Sequence, residues 1–438
     1  MASSVAIRRI ATALAGVAAV AASLSIVVEA SSLGKLDGGW KAKILKAKDT
    51  RAKPVRGAAY QPVTFADLPG WAQDDHLAAF RTFLRSCERV ASNAREKAAA
   101  DKGPAPPTAL VAACSEGSRL AGEIKTKDSA RAFFERSFTP SAVENNVKPG
   151  LLTGYYEPVL KASRTPQGPY QTPIYKRPAD LVTIIPETHR GAVKPGTLTH
   201  ARKTEKGNEP YFTRAQIDQG ALKGKGLELL YFADSVDIFF MQIQGSGRIE
   251  LTDGTSVRVH YDGKNGHPYS SIGRYLIDKA MLAADKVSLG ALATWLKADT
   301  VRANKVMWHN TSYVFFRELK GDEAGAPLGA LNVPLTPGRS LALDPSYHAL
   351  GTPVYVSAPT LKHVPKSASF NRLMIGQDVG SAIKGPERGD IYFGSGDAAG
   401  QIAGVTKHPG RFFVLVPKDT SAGTEAAPEK AAAQKTRQ

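Results

Sequence analysis

Cysteine is nearly absent from this sequence: 438 residues contain two, Cys87 and Cys114. Two thiolates cannot close a metal site by themselves, and the nine histidines show neither an HExxH pair nor any other ligand spacing. No metal and no cofactor are expected. Long apolar runs are almost as scarce, since only Ile10 to Val28 stays uncharged for long enough to matter. No repeat of fixed period is present. Acidic residues are outnumbered, 40 against 57 basic ones, giving a net charge of +17 and a pI near 9.7. Such a balance attracts polyanions, and by charge alone nucleic acid and an anionic envelope polymer fit equally well.

The N-terminus separates those two. Arg8 and Arg9 precede the apolar run, and Val28-Glu29-Ala30 puts small residues at the positions that signal peptidases read. Residues 1–30 therefore read as a signal peptide, with a mature chain beginning at Ser31. The run is also just long enough to span a bilayer, which leaves an uncleaved N-terminal anchor as the alternative. No cysteine lies near Ala30, so no lipid anchor is expected. The expected location is the periplasm or cell envelope, and nucleic acid drops out as a partner. In that oxidising compartment the even pair Cys87 and Cys114 reads as a disulfide.

Residues 31–60 lack periodicity and read as a linker. Residues 61–148 form an N-terminal helical region. Leu77, Phe80, Phe83, Leu84, Cys87 and Val90 recur at three- and four-residue steps, predicting a helix from Asp75 to about Ala100 capped by Asp74 or Asp75. Thr108 is expected to cap a second helix carrying Cys114, and a third holds Phe133, Phe134 and Phe138. After Pro149 the pattern changes. GLLTGYYEPVL, DIFFMQIQ, RIELTDGTSVRVHY, SYVFFREL, TPVYVSA, RLMIGQDVG, GDIYFG and RFFVLVPK are short runs rich in β-branched and aromatic residues. Asp253-Gly254 is a strong hairpin signal. Helices are expected only around Tyr275–Ala283 and Leu289–Leu296. Many short strands without regular crossover helices point to a barrel. From residue 419 to 438 the chain lacks aromatics and reads as a disordered tail.

Two motifs tempt and fail. Gly394-Ser395-Gly396-Asp397 follows a strand like a dinucleotide fingerprint, but the glycines and proline after it leave no expected helix to hold a pyrophosphate. Gln244-Gly245-Ser246-Gly247 lacks the first glycine of a nucleophile elbow. The stretch Gly376–Gly400 is more informative. It holds seven glycines and places Asp378 at the end of one apolar run and Asp390 at the start of another. Two carboxylates brought close in a partly apolar site acquire different pKa values, one acid and one base, as glycosidic cleavage needs. Two aspartates that merely cap turns are the plainer alternative.

Gln377-Asp378-Val379-Gly380-Ser381-Ala382-Ile383-Lys384-Gly385 with Gly389-Asp390-Ile391-Tyr392-Phe393-Gly394 closely resembles the membrane-bound lytic murein transglycosylase A family. So do Thr153-Gly154-Tyr155-Tyr156-Glu157-Pro158, Met241-Gln242-Ile243-Gln244-Gly245-Ser246-Gly247 and Asn310-Thr311-Ser312-Tyr313-Val314-Phe315-Phe316. Together these cover residues 145–418 in the family's order. The resemblance implies a mainly β fold: a double-psi β-barrel with a second, inserted β-domain and the N-terminal helical segment. Residues 149–300 would hold the inserted β-domain and part of the barrel, and 301–418 the three-aspartate double-psi barrel domain. Asp344 would be the third aspartate. The lipobox cysteine of the family's best-known members is missing here.

By the same resemblance the chain is a peptidoglycan lytic exotransglycosylase, a lyase acting on glycan strands. It would cleave the MurNAc–GlcNAc β-1,4 bond and leave 1,6-anhydroMurNAc ends. Asp390 would be catalytic, with Asp378 as its neighbour. Thr153, Tyr155, Tyr156, Gln242, Gln244 and Ser246 are the candidate substrate-binding residues. Tyr156 has a second reading, inward packing, because adjacent strand residues face opposite ways. Lys384 and Arg388 lie nearest the acids in sequence, either to attract stem-peptide carboxylates or to solvate the turn. Association with other cell-wall enzymes is a further partner expectation. A water-using hydrolase of the endoglucanase-like barrel type, and a non-catalytic wall-binding module, are the alternatives. The residues do not choose exo or endo action.

Overall fold

The computed structural model describes residues 59–100, 106–144, 150–185, 197–364 and 369–418. The expected signal peptide (1–30), nearly all of the linker and the tail (419–438) lie outside the described residues. Among the described residues no helix is long and apolar enough to cross a membrane.

The chain opens with β1 (Tyr60–Pro62), α1 (His76–Ala100), α2 (Thr108–Arg119), α3 (Lys127–Ser137) and β2 (Phe138–Val143). Asp75 caps α1, its Oδ1 accepting from the Ala78 amide at 3.2 Å. The neighbouring Asp74 does something else: it is buried and receives both Nη atoms of Arg339 at 2.7 and 2.8 Å. Thr108 is the first residue of α2 and not its cap, a place taken by Pro107. Phe138 starts β2 instead of ending the third helix, yet still packs on Phe83 and Phe133. Cys87 and Cys114 are bonded, joining α1 to α2 with Cα atoms 5.0 Å apart.

Next come β3 (Gly150–Glu157), β4 (Val159–Ser163), β5 (Thr172–Tyr175), β6 (Leu181–Thr183), β7 (His200–Thr204), β8 (Gly207–Glu209), the single turn α4 (Arg214–Gln216), and β9 (Glu228–Phe232). They are followed by α5 (Ser235–Gln244), β10 (Ser246–Leu251), β11 (Ser256–Lys264), α6 (Ile272–Asp278), α7 (Leu289–Lys297), α8 (Thr300–Met307) and β12 (Val314–Glu318). The predicted strand DIFFMQIQ is helix α5. Asp234 caps it through the Val236 amide, and Gly245 ends it in a left-handed conformation (φ 81°). Its sides pack two ways: Ile238 and Met241 enter the β core, while Val236, Phe239 and Phe240 meet α6 to α8. A helix buried on two sides shows a continuous apolar run without helical period, which imitates a buried strand. The predicted hairpin is present, β10 pairing antiparallel with β11.

The last segment contains β13 (Ser340–Ala342), β14 (Pro353–Ala358), β15 (Phe370–Asp378), β16 (Arg388–Ser395), α9 (Asp397–Val405) and β17 (Lys407–Pro417). Helix α9 corrects the expectation that nothing helical follows Gly394-Ser395-Gly396. It connects β16 to β17, which run antiparallel because they flank β3 in opposite senses. That is not the parallel crossover of a dinucleotide fold.

Among the described residues the strands form three sheets. The eight-stranded sheet runs β1-β2-β17-β14-β15-β13-β16-β3, and β3 also pairs with β17, so six strands pair in a closed circuit. The six-stranded sheet runs β12-β11-β10-β4-β9-β5 and the three-stranded one β6-β7-β8. Both smaller sheets are built from residues between β3 and β13: the chain leaves the large sheet after Glu157 and rejoins it at Ser340. Alternation explains the apolar runs of β14 and β15. Val354, Val356 and Met374 face one core, while Tyr355, Leu373 and Ile375 face the core shared with α1, α2 and α3. The fold is mainly β with helices.

Candidate active site

Four residues stand in one row across the large sheet. Thr153 on β3 pairs with Asp390 on β16, Asp390 with Ala342 on β13, and Ala342 with Asp378 on β15. Directly opposed residues on neighbouring strands project from the same face, so both acids and the threonine share a surface. The register slips between Leu341 and Ala342 of β13, skipping Gln377. Such a bulge re-aims a side chain. Gln377 turns into the protein and donates to Thr82 O at 3.2 Å and Ser86 Oγ at 2.8 Å on α1, while Ser340 Oγ donates to it at 2.5 Å. The N-terminal helices thus anchor the residue just before Asp378.

The two acids have different surroundings. Asp378 accepts three hydrogen bonds, each at 2.9 Å: the Tyr155 hydroxyl on Oδ2, and the amides of Ala330 and Val379 on Oδ1. Asp390 accepts the Thr153 hydroxyl on Oδ1 at 2.5 Å. Arg388 Nη2 donates to that same hydroxyl at 2.9 Å, so the hydroxyl proton points at Asp390. This leaves Oδ2 as the oxygen able to carry a proton. Burial pushes the Asp390 carboxyl above its ordinary pKa, outweighing the Thr153 hydrogen bond and the Arg388 charge that pull it down. Tyr155 is pushed well above the ordinary tyrosine value, first by burial and then by the Asp378 charge. It keeps its proton and donates it.

Between the acids lies a small apolar cluster of Tyr155, Leu335, Ala342, Ile383 and Tyr392. The Tyr155 and Tyr392 rings, paired in register, are 5.3 Å apart. The loop joining the acids is shaped by Asp344, which is buried and accepts the Gly385 amide at 2.9 Å. Gly385 has φ +117°, a conformation that a side chain would strain. Gly389 serves packing, since a Cβ there would lie 2.7 Å from the Phe412 ring. Asp344 therefore supports the loop between the two acids. Lys384 Nζ is 3.9 Å from Asp344, while Arg388 belongs to the Asp390 network.

The remaining candidates have internal partners. Tyr156 packs its ring against Gly400 on α9, and its amide donates to Gln244 Oε1 at 3.1 Å. Gln242 is buried, accepting from Arg214 at 2.5 Å and donating to Val314 O at 3.2 Å inside the insertion. Ser246 is buried at the start of β10. The structure gathers Thr153, Tyr155, Asp378 and Asp390, and gives the two glutamines other work. Sequence reasoning missed Tyr392 and Lys264. Lys264 is buried on β11, and its Nζ donates to Ser381 Oγ at 3.2 Å in the loop between the acids. A lone lysine in a strand carries no signal of that reach.

Residues 151–317 match the family described as MltA specific insert domain, and residues 339–416 match the 3D domain. Membrane-bound lytic murein transglycosylase A of Vibrio cholerae is 34% identical over 270 residues, covering 60% of this chain and 65% of that protein. The match thus spans just under two thirds of that relative's length. The crystal structure of membrane-bound lytic murein transglycosylase from Agrobacterium tumefaciens is 36% identical, with a TM-score of 0.71 over 82% of this chain and 98% of that one. E. coli MltA, solved with bound chitohexaose, is 29% identical with a TM-score of 0.56 over 82% of this chain and 92% of that one. By its fold, its two matched domains and this degree of identity, the chain belongs to the membrane-bound lytic murein transglycosylase A family.

Proposed function

We propose that this chain is a peptidoglycan lytic transglycosylase, with Asp390 as its acid and base and Asp378 as the fixed negative charge beside it. The observation that carries the reading is the contrast within one row of the sheet. Both carboxyls are half-buried, but one is raised in pKa and accepts the Thr153 hydroxyl on a single oxygen, while the other is held by three donors. Protonated Asp390 donates from Oδ2 to the oxygen linking MurNAc C1 to GlcNAc, and that C–O bond breaks. Positive charge developing at C1 is stabilised by Asp378. Aspartate 390 then takes the proton of the C6 hydroxyl of the same MurNAc, whose oxygen bonds to C1. Donor and acceptor roles alternate on one group, so its proton state is restored and no water is consumed. Holding the nucleophile on the substrate gives it a high effective concentration.

Hydrolysis is the competing chemistry, because a water-using glycosidase also employs two acids, and here one intervening strand stands between their backbones. Against it stand the three donors on Asp378, two on Oδ1 and one on Oδ2, which hold it in place as a fixed charge. Substrate residues in this reading are Thr153, Tyr155, Tyr156 and Ser246, with Thr153 acting through Asp390, whereas Gln242 and Gln244 bind the protein's own backbone at Val314 and Tyr156. The glycan bound by the E. coli relative supports a sugar-strand ligand. The six-strand circuit supports a double-psi β-barrel, with the insertion as the second β-domain. An envelope location, a signal peptide and association with other wall enzymes complete the reading.

Digestion of purified peptidoglycan tests it. Muropeptides ending in 1,6-anhydroMurNAc, unchanged by borohydride, are expected. If every new end is reducible and one water heavier, the hydrolase takes its place.

A further inference from the structure

Glu157 is the last residue of β3, where the chain passes from the large sheet into the insertion. Its side chain is fully buried. Arg258, on β11 of the six-stranded sheet, meets it through two bonds, Nε to Oε1 at 2.5 Å and Nη2 to Oε2 at 3.0 Å. Arg258 Nη1 also donates to the Ala324 carbonyl. Ser395, the last residue of β16, donates to Glu157 Oε2 at 2.6 Å, and the Gly396 amide donates to the Glu157 carbonyl at 2.8 Å. One carboxylate therefore ties the ends of β3 and β16 to β11.

From this clasp two paths lead to the acids. Because Ser395 donates to Glu157, it must accept from the Tyr392 hydroxyl 3.3 Å away. Tyr392 packs on Tyr155, and Tyr155 holds Asp378. On the other side, β11 runs from Arg258 to Lys264, whose amine meets Ser381 between the two acids. A buried ion pair is a weak source of stability, since apolar residues of similar volume often replace one at no loss. What such a pair fixes is relative placement, and misplacement of about 1 Å can cost about 100-fold in rate.

We propose that Glu157 is a positioning residue of the reaction: its clasp on Arg258 and Ser395 sets β11 of the insertion against Asp378 and Asp390. The proposal rests on the transglycosylase reading above. The test compares wild type with the double variant Glu157→Met/Arg258→Met and with Ser395→Ala, on soluble glycan strands, measuring kcat, KM, melting temperature and product ends. The double variant should melt no lower than wild type, yet lose about 10- to 100-fold in kcat with KM within about twofold. A purely structural pair predicts full kcat once stability is restored, and that result overturns the clasp. Should the double variant fail to fold, Ser395→Ala decides. Reduced kcat at an unchanged melting temperature supports the clasp; wild-type kcat overturns it. Wild type separates the two proposals. Reducible wild-type ends overturn the transglycosylase reading while the kcat comparison still judges the clasp, and no wild-type turnover at all overturns both.

Discussion

Asp378 and Asp390 face each other across a single residue: Ala342 is the register partner of both, one from each side of β13. Ala342 is buried in the small apolar cluster with Tyr155, Leu335, Ile383 and Tyr392, so an apolar surface lies beside both carboxyls. The acids are close because a three-residue strand threads between theirs, and the glycine-rich loop only has to span that gap.

Removing either carboxylate should have unequal effects. Asp390→Asn cannot donate and then accept a proton, so turnover should fall by about 10²–10⁴-fold while the fold and glycan binding persist. Asp378→Asn should lose less, because it leaves the acid in place. Thr153→Val should also lower activity, by releasing Asp390 Oδ1 and the orientation of its proton. Assays of the purified variants on peptidoglycan check all three; near-normal turnover by Asp390→Asn would remove it from the catalytic role.

Stability should respond to the same residue in the opposite sense. The folded protein binds the Asp390 proton more tightly than the unfolded chain does, since the folded pKa is raised. That contribution is full below the unfolded carboxyl pKa and is lost as pH rises through the raised folded value. Above the ordinary carboxyl range the raised folded pKa is a cost, so Asp390→Asn should melt above wild type there. The gap should close as pH falls below the ordinary carboxyl range. Melting curves that differ equally at every pH would contradict this.

Asp74 shows the reverse linkage. Burial pushes its pKa up, but hydrogen bonding and charge from Arg339, with the amides of Leu373 and Asp75, outweigh it and leave the pKa lowered. Its stabilisation is present above the unfolded carboxyl pKa and disappears as pH falls through the lowered folded value. Asp74→Asn leaves the Arg339 charge buried without its partner and should cost about 3–5 kcal/mol. Urea titrations at neutral and acidic pH check it, with the variant showing a shallower loss in acid.

The Cys87–Cys114 bond closes a loop of sequence separation 27. In the chain-entropy account it contributes about 3.5 kcal/mol, so reduction or the Cys87→Ala/Cys114→Ala variant should lower the denaturation midpoint. Native, unreduced protein should titrate no free thiol. Since α1 also holds Gln377 beside Asp378, reduction should lower activity before it unfolds the β sheets, which activity followed alongside circular dichroism would detect.

The sequence by itself determined what depends on near neighbours. Asp75 capping α1, Asp253-Gly254 turning β10 into β11, and an acid at each end of a glycine-rich stretch are all local chemistry, readable within a few residues. The motifs also carried the family. Other local patterns misled where burial came from two directions: DIFFMQIQ read as a strand because α5 packs on both the insertion's sheet and its helices, and the helix α9 after Gly396 went unseen among glycines. Only the tertiary structure decided which oxygens meet. Thr153 and Asp390 are 237 residues apart, and what unites them is the register of β3 on β16, with the slip at Gln377 aiming Asp378 into the same row. Register is fixed by how whole sheets bury their apolar faces, a shift of one residue would turn each side chain to the opposite face, and no short stretch of sequence contains that information.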